Sequence, residues 1–538
     1  MSTTLASERP PRLIPVAWGV AAFLAVAVVA RGPGISREEA GALAAAAAVP
    51  AGTGAEGARP PFGPLVPLAA RETASVAVRY GLPLLAGYRL ASALAAGILS
   101  ALLSFLAGEL AGPGAAALAP ALLLAPCRLL LPLLEAGPRA AAAALSLFAL
   151  LAYRAAWRAA WLPGRVFAAM GCGALFGLAL PVEPGSWQLL GVVLLHAALL
   201  QPLHPFRPSP ADGPRRAFHP RSALLAVLAM LTIGPACALA SWPWLWTDTL
   251  HRAGEVLVSA LSAGPLLHMG RNLSTGRPPL GFPLLVTALA LPAAVAAAFA
   301  VGVLHAGARL WRGVRSPREG RGKRSGPEPA DEFLLLLAVA GPPLAAQLGL
   351  SGRVPGPGPW LAAFPVLAVL GARALLTCAA TAWPARARLL SFCLAAAVLA
   401  PAVSASVRAY PELGSSWGEL AGGTPGAASL GLPRHEGAAA ASLLSEISSH
   451  ARPGARIHWG SVPAAALAVY AADGRLRPDL VAVPSPGEAD LAVVPVAGGR
   501  REEEYRVWAA FHTAAPVAGA YLDEVPLAWV YARPGAWR

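Results

Sequence analysis

LIPVAWGVAAFLAVAVVARGPGISREE, residues 13–39, sets the pattern for the chain. An apolar run ends at Ala30, a Gly-Pro-Gly break follows, and Ser36-Arg37-Glu38-Glu39 closes the stretch with an acidic pair. A helix rising 1.5 Å per residue needs about 20 apolar residues to cross the hydrocarbon of a bilayer. Residues 13–30 therefore predict a membrane span that delivers two carboxylates to the membrane surface. Similar runs recur at Leu84–Leu106, Ala115–Leu134, Ala140–Leu162, Val166–Val182, Trp187–Leu203, Ser222–Trp242, Gly281–His305, Phe333–Leu350, Trp360–Thr381 and Leu389–Ser406. With Leu13–Ala30 they predict about 11 transmembrane helices; Ala140–Leu162 is the weakest, interrupted by Arg154 and Arg158.

Composition agrees. Of 538 residues 56% are hydrophobic and 13% charged, about half the charge of a soluble domain. A cytosolic enzyme, a disordered scaffold and a coiled coil are excluded on solubility. The formal charge of +14 would suggest nucleic acid in a soluble chain. Here the arginines fall in short loops between apolar runs, so they are topology signals and no nucleic-acid partner is expected. The loops Arg154–Arg165, His204–Arg221, Ala306–Asp331 and Pro384–Arg388 hold most of them. The positive-inside rule then places the N-terminus in the cytoplasm and, after an odd number of spans, the tail outside. Five cysteines, all inside apolar runs and without a CxxC pair, predict neither a disulfide framework nor a metal site.

The expected organisation is a transmembrane unit over 1–406 with two long external loops, 31–83 and 243–280, and an external α/β domain over 407–538. In the tail the pattern predicts helices at Ala438–His450, Val462–Ala472 and Arg501–His512. Strands are predicted at Arg456–Trp459, Leu480–Val483, Leu491–Pro495 and Val525–Ala532. Gly171, Gly173 and Gly177 sit mid-span with no strand before them, which points to close helix packing. Trp242, Trp244 and Trp246 read as an interfacial belt, with sugar stacking as the alternative.

Two adjacent carboxylates at a low-dielectric edge can supply a general base, because burial raises a carboxylate's pKa towards neutrality. The competing reading of Glu38 and Glu39 is the first turn of an interfacial helix, Glu38–Val49, where acids favour the N-terminus.

The order of apolar span, external acidic pair, Ala-rich helix and Pro-Pro turn resembles the GT-C superfamily of membrane glycosyltransferases. The branch it is most similar to is the dolichyl-phosphate-mannose:protein mannosyltransferase-like family with its bacterial aminoarabinose transferase relatives. Arg59-Pro60-Pro61-Phe62-Gly63 resembles that family's His-Pro-Pro-Leu turn, and Tyr88–Ala93 its Arg-Leu-(Pro/Ala)-Ser-Ala segment. Trp242–Asp248, Met269-Gly270-Arg271 and Pro278–Pro283 resemble the second external loop. Glu419–Ala427 resembles the Asn-Glu-Leu-x-Gly-Gly-x-x-Gly-Ala motif that opens the tail. The chain departs from the family by Glu38 for Asp, Arg59 for His, Val182-Glu183 for Lys-His, and Gly418 for the Asn before Glu419. The second acidic position finds only Glu135.

The resemblance implies a polytopic α-helical membrane protein of GT-C type in a bacterial inner membrane. Its expected function is transfer of a sugar from a polyprenyl-phosphate carrier to a lipid, glycan or protein acceptor at the periplasmic face. Glu38, with Glu39 beside it, is the candidate base. Arg59, Arg89, Asp248, Arg252, Arg271 and Arg353 are candidates for holding the substrate, the arginines because a guanidinium binds phosphate bidentately. Taken singly, each arginine also reads as a lipid-headgroup contact or an ion pair. No cofactor is expected, and a divalent-metal requirement is left open. The departures keep a second reading alive, a degenerate relative that binds lipid-linked sugar or scaffolds envelope assembly. A transporter is disfavoured because no inverted repeat is visible.

Overall fold

The computed structural model describes residues 13–48, 63–159, 161–200, 220–261, 266–273, 278–315, 329–349, 357–434, 438–496 and 501–538. Helix α1 (Leu13–Val29) leads to two helices of the first loop, α2 (Arg37–Ala48) and α3 (Leu65–Arg79). There follow α4 (Leu84–Ala111), α5 (Pro113–Leu124), α6 (Cys127–Leu134), α7 (Arg139–Arg158), α8 (Leu162–Val182), α9 (Gln188–Leu200) and α10 (Pro220–Ser241). The second loop holds α11 (Thr249–Leu261) and a hairpin of β1 (Leu266–His268) and β2 (Arg271–Leu273). The bundle closes with α12 (Phe282–Ala290), α13 (Ala293–Arg315), α14 (Pro329–Gln347), α15 (Phe364–Ala382) and α16 (Ala387–Ala409).

Each of the eleven predicted spans coincides with helix, and among the described residues eight helices are long and apolar enough to cross a membrane. The chain is a multi-pass membrane protein. Four of the eleven depart from a single long helix. The third bends by 81° between α5 and α6, where Pro126 removes a backbone donor and crowds the preceding turn. The eighth is broken at Leu291-Pro292 into α12 and α13. The first and sixth, Leu13–Val29 and Pro184–Leu199, are shorter.

Arg154 and Arg158 do not interrupt α7. Arg154 donates to Asp331 at 2.9 Å and pairs with Glu109, while Arg158 pairs with Asp331. Beside them Glu332 accepts from Arg373 at 2.8 and 2.7 Å and from Arg309 at 2.9 Å. Charges at membrane depth are tolerated when they pair inside protein. Packing of α8 on α10 depends on missing side chains: a Cβ at Gly173 or Gly177 would lie 2.5 or 2.2 Å from a carbonyl oxygen of α10, whereas Gly171 faces open space. Two of the three glycines are thus packing residues.

The tail holds α17 (Gly423–Ser429), α18 (Ala440–His450), β3 (Arg456–His458), α19 (Ala464–Ala472), β4 (Val481–Val483), β5 (Leu491–Pro495), α20 (Arg501–Phe511), β6 (Ala518–Leu522) and β7 (Val525–Ala532). The sheet order is β4-β3-β5-β7-β6; β3 is parallel to β4 and β5, and β7 antiparallel to β5 and β6. All five residues of β5 are buried, as its unbroken apolar run implies for a central strand. Unforeseen were β6, weakened as a strand signal by Gly519, and the β1–β2 hairpin, whose turn Met269-Gly270 needs positive φ at both positions.

The tail is bolted to the bundle. Arg128 of α6 donates to the Ser416 carbonyl at 2.6 Å and lies over the Trp417 ring at 3.7 Å. Glu419 accepts from the Ala293 N–H at 2.7 Å, capping α13 after the Leu291-Pro292 break. Gly418 donates its N–H to the Leu289 carbonyl at 2.9 Å, and a Cβ there would lie 2.0 Å from the Leu291 oxygen. The departure from Asn at this position therefore has a steric cause. Gly418→Asn is expected to destabilise the protein by about 1–3 kcal/mol, read as a lowered thermal midpoint of the detergent-solubilised chain; an unchanged midpoint would refute the packing account.

Candidate active site at the tail-bearing end of the bundle

The acidic pair splits. Ser36 caps α2, its Oγ accepting from the Glu39 N–H at 3.0 Å. Successive residues of the first helical turn point in different directions, so Glu38 and Glu39 face different surroundings. Glu39 is buried. It accepts from Arg89 Nε at 2.6 Å and Nη2 at 2.5 Å, and from the Ala136 N–H at 2.8 Å. The same guanidinium donates to the carbonyls of Ala30 at 2.6 Å, Pro33 at 2.8 Å and Gly34 at 3.0 Å. Every arm of Arg89 is thus spent on the Gly-Pro-Gly turn and on Glu39. This corrects the expectation that Glu39 shares in catalysis and that Arg89 binds substrate: both are sealed from any ligand and fix the loop.

The tail completes this clamp. The Tyr470 hydroxyl accepts from the Ile35 N–H at 2.7 Å; burial pushes its pKa up to about 12, so it stays protonated at any physiological pH. Asp473 accepts from the Leu84 N–H at 2.5 Å and the Leu85 N–H at 3.1 Å, capping α4. Loop, α4 and tail are thereby one assembly.

Glu38 faces the other way and pairs with Arg139, the first residue of α7. Arg139 lines a small open cleft, about 70 Å³ as cavity volumes are usually counted. Its polar members are Arg139, Ser146, Glu183, Ser186 and Gln188. The Arg139 guanidinium is stacked so closely on Gly358 that a Cβ there would lie 2.6 Å from its central carbon. Gln188 is buried, and its Nε2 has no acceptor among the described residues. Glu183 ends α8, held in place where Gly63 donates to the Pro181 carbonyl at 2.8 Å. Burial raises the Glu183 pKa, Arg139 lowers it and Glu38 raises it again. Glu135, buried at the end of α6, lies close enough to interact with both Arg89 and Arg139.

Beyond Arg139 and the residues around Glu183 the walls are apolar apart from Ser146. Ala142, Ala143, Leu147 and Leu150 of α7 repeat at helical spacing, facing Val192, Ala338, Leu361 and Val366. From Arg139 to Leu150 the slot runs roughly 16 Å at 1.5 Å per residue, about half the thickness of a bilayer's hydrocarbon.

The other sequence candidates are not gathered here. Asp248 is exposed and starts α11, its carbonyl accepting from the Arg252 N–H at 3.0 Å. Arg252 is turned onto Trp244, bonding to its carbonyl and lying 5.0 Å from its ring. Trp242 and Trp244 are buried against each other, which replaces the belt reading for both; Trp246 alone is exposed. Arg271 lies in β2, opposite His268. Arg59 and Arg353 lie outside the described residues. Among the described residues no three His, Cys, Asp or Glu side chains are grouped to hold a metal. Sequence reading passed over Arg139 and Gln188 and took Glu183 only as a departure from the family's Lys-His pair, though the Ala142/Ala143/Ser146 stripe behind an N-terminal arginine was a usable signal.

The apo form of ArnT from Cupriavidus metallidurans matches at a TM-score of 0.50 and 14% identity, over 96% of this chain and 97% of that one. The chain has the GT-C fold. The same ArnT bound to undecaprenyl phosphate gives 0.48 at 15% identity, over the same shares of both chains. The apo oligosaccharyltransferase of Archaeoglobus fulgidus gives 0.47 at 11% identity over 72% of this chain; the chain spans 55% of that longer protein. No protein-family model matches the sequence, and no curated protein does.

Removing one partner of a buried ion pair leaves an uncompensated charge. Glu39→Gln should therefore cost about 3–5 kcal/mol, lowering the thermal midpoint and the folded yield. A variant as stable as the parent would show that the pair does not hold the loop.

Proposed function

We propose that this GT-C chain transfers a sugar from a polyprenyl-phosphate carrier to an acceptor at the periplasmic face of a bacterial inner membrane. The observation that carries the reading is the amphiphilic cleft: a head with a guanidinium, a buried amide donor and a carboxylate, continued by a largely apolar slot. An isoprenoid phosphate has the same division, and ArnT, which shares the fold, binds undecaprenyl phosphate. In this reading Arg139 and Gln188 hold the carrier's phosphate, and Leu147, Leu150, Val192 and Val366 line the first isoprene units. Arg139 stabilises the charge that gathers on the leaving phosphate as the glycosidic bond breaks. The described arginines at the opposite end, Arg154, Arg158, Arg309 and Arg386, support the periplasmic assignment through the positive-inside rule.

The test uses the full chain in lipid nanodiscs with a panel of undecaprenyl-phosphate-linked monosaccharides, reading release of undecaprenyl phosphate by mass spectrometry. Turnover of one panel member is expected. Arg139→Ala should weaken binding of undecaprenyl phosphate about tenfold or more, since a charged hydrogen bond is worth roughly 1.5–3 kcal/mol. Unchanged binding in that variant would place the carrier elsewhere. Binding without any turnover would instead favour the degenerate relative that the sequence departures first raised.

A further inference from the structure

We infer that Glu183, rather than Glu38, takes the proton from the acceptor, while Glu38 positions Arg139 over the carrier's phosphate; this rests on the transferase reading above. The geometry separates the two carboxylates. Glu38 has its Oε2 in contact with an Arg139 N–H, so that oxygen already accepts a hydrogen bond and steers the guanidinium. Glu183 lies on the cleft wall itself, one residue past the end of α8, and its carboxylate makes no ion-pair contact or hydrogen bond among the described residues. An acceptor entering the head of the cleft meets Glu183 on its wall, whereas Glu38 is not among the lining residues and its carboxylate is engaged by Arg139.

The electrostatics point the same way. The charged groups that act on Glu183 are Arg139 from α7 and Glu38 from α2. The start of α3, packed beneath it, contributes the apolar Leu65 and Val66. From α11, which packs on the turn after Glu183, Arg252 is held on Trp244. The carbonyl end of α8 disfavours a charged carboxylate, and burial adds to this. A base tuned above the ordinary carboxylate range is better matched to proton transfer near neutral pH. Sequence reading saw Val182-Glu183 only as the loss of a Lys-His pair, whereas the structure places a carboxylate on the cleft wall.

The step balances within the site. The acceptor's hydroxyl oxygen bonds to the anomeric carbon, and the bond from that carbon to the phosphate oxygen breaks. The electron pair leaves on polyprenyl phosphate beside Arg139, and the hydroxyl proton passes to a Glu183 oxygen and later to water.

The experiment uses the nanodisc-embedded full chain, the panel donor it turns over, and undecaprenyl phosphate alone as the binding probe. Glu183→Gln is expected to lower kcat about 100-fold or more while undecaprenyl phosphate binding stays within about threefold. In the wild type kcat should rise with pH along a limb above the ordinary glutamate value of about 4.3; that limb should vanish in Glu183→Gln and move in Glu183→Asp. Glu38→Gln should weaken carrier binding more than it lowers kcat. If Glu183→Gln folds poorly, the limb in Glu183→Asp decides, and an unmoved limb overturns the assignment. A kcat within threefold of wild type in Glu183→Gln, or a Glu38→Gln variant that binds normally without turning over, overturns it alone. A wild type that binds undecaprenyl phosphate and never releases it from any donor removes the transferase reading and this assignment together.

Discussion

One guanidinium organises the tail-bearing end of this protein. Arg89, buried in α4, gives its hydrogen bonds to Glu39 and to three carbonyls of the turn after α1. A charge sealed in a low-dielectric interior is tolerable only when it is fully paired, so the turn, the start of α2 and α4 must keep one geometry. Glu39 extends the constraint to the Ala136 N–H, just before Arg139. Tyr470 and Asp473 carry it into the tail. The position of Glu38 is a by-product: with Glu39 locked inward, its neighbour is left to face Arg139 and the cleft.

The two ends of the bundle handle charge differently. At the far end, Asp331 and Glu332 at the start of α14 are matched by Arg154, Arg158, Arg309 and Arg373, and the network joins α7, α13, α14 and α15. At the tail-bearing end, Arg139 stands among Glu38, Glu135 and Glu183, beside a buried amide donor. Matched pairs hold helices together; one cation shared among several carboxylates is an arrangement that an incoming anion can rearrange. That contrast, more than the number of charges, separates scaffold from site.

Much of the fold was legible because the bilayer imposes a length and a polarity that local sequence must satisfy. All eleven apolar runs coincide with helix, and α2 begins where the acid-rich first turn suggested. Bends at Pro126 and Pro292 were harder to see, since proline inside a membrane helix is often absorbed: α8, α10 and α16 carry internal prolines and remain helical. The tail's central strand showed in its unbroken apolar run. β6 did not, because a five-residue edge strand containing glycine has little pattern to show.

By itself, then, the sequence determined the elements: apolar runs long enough to span, an acid-capped helix after the first, and an α/β tail. It also carried the resemblance on which the GT-C expectation stood. What each polar residue does was decided only by the tertiary structure. Glu38 and Glu39 are chemically alike and adjacent, yet one is sealed against Arg89 and the other pairs with Arg139. Glu419 and Gly418, part of a motif, cap and pack the α12–α13 break. Burial and pairing are set by groups brought together from 50 to more than 400 residues away, and no local pattern encodes which carboxylate will end up inside.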